Sequence, residues 1–190
     1  LSSGGDAAAA AAIYKSVLDR DPSQFAIGSN VLFEYNCVQT LRREDLFALH
    51  RAWAERIESP LPQTYDFSAH DRNPKRPLRI GYVSGDFTRH PVGFLLRDIL
   101  LHHNKQDFSI HCYSMVIRPQ DVLSELRSAA DTWDDIFYLS DEEVVELVRK
   151  AEIDILVDLS GHTAFHRLLA FAHKPAPVQV EWIGYFHSTG

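Results

Sequence analysis

Cysteine is scarce in this sequence: only Cys37 and Cys112 occur, in separate expected elements. No Cys-x-x-Cys and no His-Glu-x-x-His is present, so the ligand spacings of a structural or catalytic zinc are missing. Two dispersed thiols are expected to be reduced and buried, as in a cytosolic (cytoplasmic) protein. Long apolar runs are lacking too, and none approaches the ~20 residues of a membrane span. The alanine-rich start, Ala7 to Ala12, has neither a basic n-region nor a long apolar h-region, which speaks against a signal peptide. Positive charge is short: 19 Lys and Arg stand against 26 Asp and Glu, a net charge of −7. Nucleic-acid phosphates need clustered cations, so a nucleic-acid partner is not expected. The one mildly basic stretch, Arg72 to Arg79, is broken by prolines and reads as a linker. Gly81, Gly85 and Gly93 do not form Gly-x-Gly-x-x-Gly, which disfavours a nicotinamide-dependent oxidoreductase.

What remains is an ordinary globular composition, 45% hydrophobic and 24% charged over 190 residues, enough for one good core and a smaller helical piece. Residues 1–58 read as helices. Ala10, Tyr14, Val17 and Leu18 form one helical stripe, ended by Asp21-Pro22. Gln24 to Gln39 supplies a second helical segment, and Leu46, Leu49, His50, Trp53 and Ile57 share a face of a third. Tyr14 to Pro22 resembles the end of a tetratricopeptide repeat. Residues 59–77, with Pro60, Pro62, Pro74 and Pro77, form a linker or a wrap over the surface. From Leu78 strands alternate with helices: strands at 78–84, 108–115, 135–139, 153–159 and 177–184, helices at 92–103, 120–131, 141–151 and 165–173. This rhythm predicts an α/β, doubly wound, mainly parallel Rossmann-like sheet over 78–190, with strand order 3-2-1-4-5.

Ligands of such sheets bind beyond the carboxyl ends of the strands, where the order reverses. Under this order the switch lies between strands 1 and 4, whose following loops are "SGDFTRHP" and "DLSGHT"; strand 5 ends in "GYFHSTG". These ends are rich in small, polar and imidazole side chains, and the opposite ends are not. Pro91 favours the first helical position, so His90 is expected at the N-cap, where the helix dipole disfavours imidazolium. A neutral imidazole there can accept a proton or a hydrogen bond from a hydroxyl; the bland alternative is a partly exposed turn histidine. Asp158 ends an apolar strand, where it either bonds loop amides near Gly161 or orients or deprotonates a substrate hydroxyl. His162 and Thr163 follow in the loop, and Thr163 could instead cap the next helix. Gly184 either lets a ligand approach the backbone or permits a bend. His50, on an apolar helical face, reads as a hydrogen-bonded core residue.

The stretches "LRIGYVSGDFTRHPVGFLL", "IDILVDLSGHT" and "KPAPVQVEWIGYFHSTG", in this order and spacing, resemble the protein O-GlcNAc transferases and their SPINDLY-type relatives. "LFALHRAWAERI" is similar to the junction between repeats and catalytic region in bacterial members. The resemblance covers about residues 28 to 190. It implies a GT-B fold, with this chain holding the tail of a tetratricopeptide superhelix and the amino-terminal catalytic lobe. The carboxy-terminal lobe, which holds the nucleoside diphosphate, lies outside it, so the chain is expected to be a fragment without activity of its own.

The resemblance further implies an inverting glycosyl transfer, most simply of GlcNAc from UDP-GlcNAc to Ser or Thr hydroxyls of a polypeptide, without a metal or other cofactor. It assigns His90 and Asp158 catalytic roles. Thr163 and its neighbour His162 fall beside the substrate, and Ile183, Gly184 and Phe186 line the sugar's pocket. Phe186-His187 departs from the family's usual Pro-Gly or Pro-Asn. That departure, with the SPINDLY-like "SGHT", keeps GDP-fucose open as the donor. A non-catalytic module of helical repeats and a Rossmann-like domain is the competing class.

Overall fold

The computed structural model describes residues 6–61 and 66–190; residues 62–65 of the expected linker, including Pro62, lie outside it. Three helices come first: α1 (Ala7–Arg20), α2 (Phe25–Tyr35) and α3 (Arg43–Glu58). Asp6 caps α1 by accepting the Ala9 amide at 2.9 Å, and the Asp21 side chain accepts the amide and hydroxyl of Ser23 in the turn that follows. Ala10 and Ala11 bury the seam of α1, while Val17 of the expected stripe is exposed. In α3 Leu46, His50 and Trp53 are buried as the spacing predicts, and Leu49 is exposed.

The lobe is a five-stranded sheet of β1 (Leu78–Ser84), β2 (Phe108–Ser114), β3 (Thr132–Asp135), β4 (Ile155–Asp158) and β5 (Val178–Glu181). Every pairing is parallel and the order is β3-β2-β1-β4-β5, as expected. The helices α4 (Pro91–His102), α5 (Ser124–Ala129), α6 (Asp141–Lys150) and α7 (Leu168–Ala172) connect the strands. Alternating strand residues supply two cores. Ile80, Tyr82, Ile110 and Cys112 meet Leu96, Leu100 and Leu126 on one face, and Val83, Tyr113 and Leu156 meet Val144, Val145 and Val148 on the other. Each large aliphatic side chain buried this way stabilises the fold by about 1.5–3 kcal/mol before entropy is counted. No helix among the described residues is long and apolar enough to cross a membrane.

Several boundaries differ from the sequence reading. The third strand is Thr132–Asp135 rather than 135–139, because the apolar run beyond it leaves the ladder: Ile136 is buried in the core, and Arg167 binds the carbonyls of Ile136 and Leu139, both at 2.7 Å. The helix expected at 120–131 is split into a 3-10 turn, Pro119–Asp121, and α5. Between them the Leu123 amide is drawn to the Phe87 carbonyl at 3.0 Å. The helix expected at 165–173 starts only at Leu168, since Phe165 takes a left-handed φ of 61°. The second helix stops at Tyr35, where the Asn36 side chain donates to the Leu32 carbonyl. Cys112 is buried as expected, but Cys37, just past that helix, is exposed.

The amino ends of the strands carry more polar chemistry than the sequence suggests, because residues 66–77 bring it there as a wrap. The Asp154 carboxylate accepts from His70 Nε2 at 2.5 Å, from Arg76 Nη1 and Nη2 at 2.7 and 2.6 Å, and from the Arg79 amide at 2.8 Å. Burial opposes its charge, yet the Arg76 side chain, the Arg79 amide and His70 together hold the carboxyl well below the usual range. A depressed acid stabilises the fold fully above the ordinary aspartate range, and that contribution is lost as pH falls below it. Asp154→Asn is therefore expected to cost about 3 kcal/mol at neutral pH, since it leaves the largely buried Arg76 guanidinium without its carboxylate. Urea unfolding at pH 7 and at pH 3 checks this: the gap between variant and wild type narrows at the lower pH and closes only under stronger acid.

Candidate active site

His90 is the N-cap of α4, with Pro91 at the first helical position. Its Nδ1 accepts the Val92 amide at 3.3 Å. A neutral ring that accepts at Nδ1 carries its proton on Nε2, so the nitrogen left for a ligand is a donor. The Asp86 carboxylate lies 3.6 Å from the same Nδ1 and competes with the amide for it. Asp86 is half-buried, and burial raises its pKa against the opposing pull of His90. The sequence reading passed over Asp86, although its place four residues before a capping histidine was a usable signal.

Asp158 ends β4 at 2% exposure. Its two oxygens accept the amides of Ser160 at 3.1 Å and Gly161 at 2.8 Å, so the loop-bonding role is present. Gly161 reaches this position with φ of 54°, in the left-handed region glycine favours. Across the ladder Asp158 is in register with Glu181 of β5. Burial pushes Asp158 up to about 6 against the two amides, and burial followed by the nearby Asp158 pushes Glu181 up to about 7. These two carboxyls, with His162, Gln179 and Trp53, line a pocket of about 220 Å³ between α3, α7 and β5.

His162 is buried beneath the helical segment, its Nδ1 3.0 Å from Ser29 Oγ of α2. Around it lie His50 at 5.3 Å, Tyr185 at 5.4 Å and His166 at 6.2 Å between ring centroids, and His187 stacks on His50 at 4.6 Å. The expectation for His50 holds: it is buried, with Nδ1 2.7 Å from the Leu46 carbonyl and Nε2 2.9 Å from the Tyr185 hydroxyl. Asn36 donates to that hydroxyl at 2.6 Å, so Tyr185 donates to His50 and the ring donates to Leu46. This cluster ties α2 and α3 to the loops after β4 and β5.

Burial, then the neighbouring His50 and His166, pulls His162 down to about 3. Burial alone dominates at His166, which falls to about 4, and it lowers His50 as well. Both of the strongly shifted rings stay neutral when folded, so the unfolded chain binds more protons below its ordinary histidine pKa. Stability is whole above about pH 6.5 and falls as pH drops toward these depressed values. Tryptophan fluorescence, to which Trp53 of α3, Trp133 and Trp182 all contribute, is expected to change together with global unfolding on acid titration. A His162→Phe variant is expected to flatten that acid dependence.

The remaining predicted residues divide between loops. Thr163 is half-buried and donates its hydroxyl to the Ser160 carbonyl at 2.7 Å. Gly184 is approached by protein backbone: an added Cβ would lie 1.6 Å from the Leu159 carbonyl oxygen. The loops bearing His90 and Asp158 touch where Gly85 meets Phe165, whose Cβ would lie 2.9 Å from a Cβ at Gly85. Beyond this geometry, residues 36–190 match the sequence profile of glycosyl transferase family 41. The chain belongs to that family. Over 174 residues it is 36% identical to an Arabidopsis thaliana protein named as a probable UDP-N-acetylglucosamine–peptide N-acetylglucosaminyltransferase SPINDLY, a match covering 90% of this chain and 19% of that protein. A Caenorhabditis elegans UDP-N-acetylglucosamine–peptide N-acetylglucosaminyltransferase is 32% identical over 115 residues, 60% of this chain and 10% of its own length. A solved point mutant of the Thermobaculum terrenum O-GlcNAc transferase superposes with a TM-score of 0.88 at 36% identity, over 97% of this chain and 35% of that one.

The chain thus spans about a fifth, 19%, of the length of that SPINDLY relative. Its doubly wound parallel sheet matches the fold of that O-GlcNAc transferase structure. In this family 41 chain Ile183 is left-handed at φ 52° and packs against the core, while Phe186 is 66% exposed and meets Phe33 edge-on at 6.0 Å. Glu181 and Gln179 escaped the sequence reading; their signal was two polar residues alternating with Val178 and Val180 in a strand.

Proposed function

We propose that this chain is the amino-terminal catalytic lobe, with the adjoining repeat tail, of a protein O-glycosyltransferase that moves GlcNAc from UDP-GlcNAc to Ser or Thr hydroxyls with inversion. The observation that supports this most is the 0.88 superposition on an O-GlcNAc transferase over 97% of the chain. His90 is the residue assigned to the reacting groups. With Nδ1 on the Val92 amide, its Nε2–H donates to a substrate oxygen. With Nδ1–H turned to Asp86, Nε2 is free to take the hydroxyl proton. The hydroxyl oxygen then bonds to the anomeric carbon as that carbon's bond to the diphosphate oxygen breaks, and the electron pair leaves with the nucleoside diphosphate. Asp158 holds the loop that carries Thr163 and His162, and its charge lies near the same strand ends.

Cations and a helix N-terminus in a carboxy-terminal lobe neutralise the leaving group, with no metal or other cofactor, and the polypeptide acceptor lies along the helical repeats. The protein works in the cytoplasm in this reading. A donor panel tests it: UDP-GlcNAc, UDP-glucose and GDP-fucose are offered with a polypeptide acceptor to the protein carrying both lobes, with and without EDTA. Release of UDP from UDP-GlcNAc alone, unchanged by EDTA, is expected; release from GDP-fucose instead moves the donor to the SPINDLY-type alternative. Residues 1–190 alone are expected to show no turnover, and sub-micromolar UDP affinity by calorimetry contradicts the assignment of nucleotide binding to the other lobe.

A further inference from the structure

The Asp86 carboxylate accepts no hydrogen bond from the described residues, although its side chain is only 26% exposed. A carboxylate withdrawn from water is costly unless a donor or a counter-charge meets it. Among the described residues the one basic group within ion-pair distance is His90, whose Nδ1 lies 3.6 Å away. No Lys or Arg of the described residues comes as close.

The loop is built to hold that pair. The Asp86 amide donates at 2.9 Å to Oγ of Ser84, the fully buried last residue of β1. From the other side the first turn of α4 presses on the same loop. A Cβ at Gly93 would lie 2.7 Å from the Asp86 carbonyl oxygen and 2.3 Å from that of Thr88. The backbone is thus fixed around both side chains, while the imidazole, 46% exposed, keeps room to turn.

Two groups compete for Nδ1. The Val92 amide reaches it at 3.3 Å, longer than the ~2.7–3.2 Å usual for amide donors. That bond puts the ring proton on Nε2, which can then only donate. Taking a hydroxyl proton needs the opposite tautomer. A carboxylate that accepts Nδ1–H makes a charge-assisted bond of about 2.7–2.9 Å, roughly twice as strong as a neutral one. Closing to that length asks for about 1 Å of ring movement or less. The Val92 amide then joins the first-turn amides that water satisfies at a helix start.

We propose that Asp86 is a positioning residue: it holds the His90 proton on Nδ1, leaves Nε2 unprotonated for the acceptor hydroxyl, and pairs with the imidazolium that forms. The proton passes from the hydroxyl oxygen to Nε2, and Asp86 stays ionised and forms no covalent bond. This rests on the reading of His90 as the group that takes that proton, yet the effect on the ring is measurable with no sugar present.

Two-bond 1H–15N correlations of the His90 ring in the 190-residue chain give the ratio of Nδ1–H to Nε2–H. They are recorded at pH 8, where an ordinary imidazole is neutral. The wild type is expected to carry Nδ1–H on at least a quarter of its rings, and Asp86→Ala to lower the ratio at least tenfold. Asp86→Asn, whose amide oxygen accepts without charge, is expected to fall between them and serves if the alanine variant folds poorly. In the protein carrying both lobes, Asp86→Ala is expected to lower kcat at least tenfold with KM for donor and acceptor within twofold. A merely loosened loop would move KM as well. A wild-type ring protonated only on Nε2, or a ratio unchanged in both variants, overturns the proposal. A ratio that falls while kcat holds overturns it through the reading beneath it, because His90 then takes no proton.

Discussion

His90→Ala is expected to lower sugar transfer by ~10²–10⁴-fold, the usual contribution of a positioned acid–base group. The same substitution removes the N-cap of α4, where the imidazole accepts the Val92 amide at 3.3 Å, and loss of a cap costs about 1 kcal/mol. The two effects separate with His90→Asn. Asparagine is among the best N-caps, so helix and fold are expected to keep their stability while transfer stays at the alanine level. Turnover at saturating donor and acceptor, set beside a thermal melt of each variant, reads both quantities. Transfer by His90→Asn equal to that of the wild type would take the imidazole out of the chemistry. Asp158→Asn is also expected to lower transfer, but by disturbing the loop: an amide cannot accept from both Ser160 and Gly161 as the carboxylate does.

Gly184→Ala is expected to be among the most damaging single substitutions in the chain. The added Cβ would fall 1.6 Å from the Leu159 carbonyl oxygen, 2.2 Å from its carbon and 2.9 Å from the Ser160 nitrogen. All three are backbone atoms of the loop that Asp158 holds, so no side chain can rotate away. Overpacking a close contact costs about 1–3 kcal/mol and more where backbone must move, and the upper end applies here. Urea unfolding of Gly184→Ala is expected to show a loss of about 3 kcal/mol or more, with the indole of the adjacent Trp182 changed in the native state. A loss under about 0.5 kcal/mol, typical of an unconstrained surface site, contradicts the close approach of the loops after β4 and β5.

The strand order was legible because the alternation of strand and helix leaves right-handed crossovers few arrangements, and the structure has the order expected. His90 as an N-cap was legible from one neighbour, Pro91, whose fixed φ suits the first helical position. The edge strand was misplaced because Ile136, Phe137 and Leu139 carry the apolar signal while Thr132 to Asp135 carry the ladder. Nothing local marks that exchange: it depends on Arg167, about thirty residues away, binding the Ile136 and Leu139 carbonyls. The histidine cluster was hidden for the same reason. His162 meets Ser29 across 133 positions and His50 meets Tyr185 across 135, separations at which periodicity carries no information. The Asp154 centre joins a wrap to a strand end across 75 to 84 positions, and its residues looked like unremarkable linker charges.

This family 41 chain is proposed to serve a transferase that places GlcNAc on hydroxyls of a polypeptide. The most direct measurement is site-resolved mass spectrometry of an acceptor polypeptide after incubation with UDP-GlcNAc and the protein carrying both lobes, run beside its His90→Asn variant. One N-acetylhexosamine per modified Ser or Thr is expected, with the variant's product sharply reduced. An acceptor left unmodified by the wild-type protein, or sugar attached to a residue other than Ser or Thr, would contradict it.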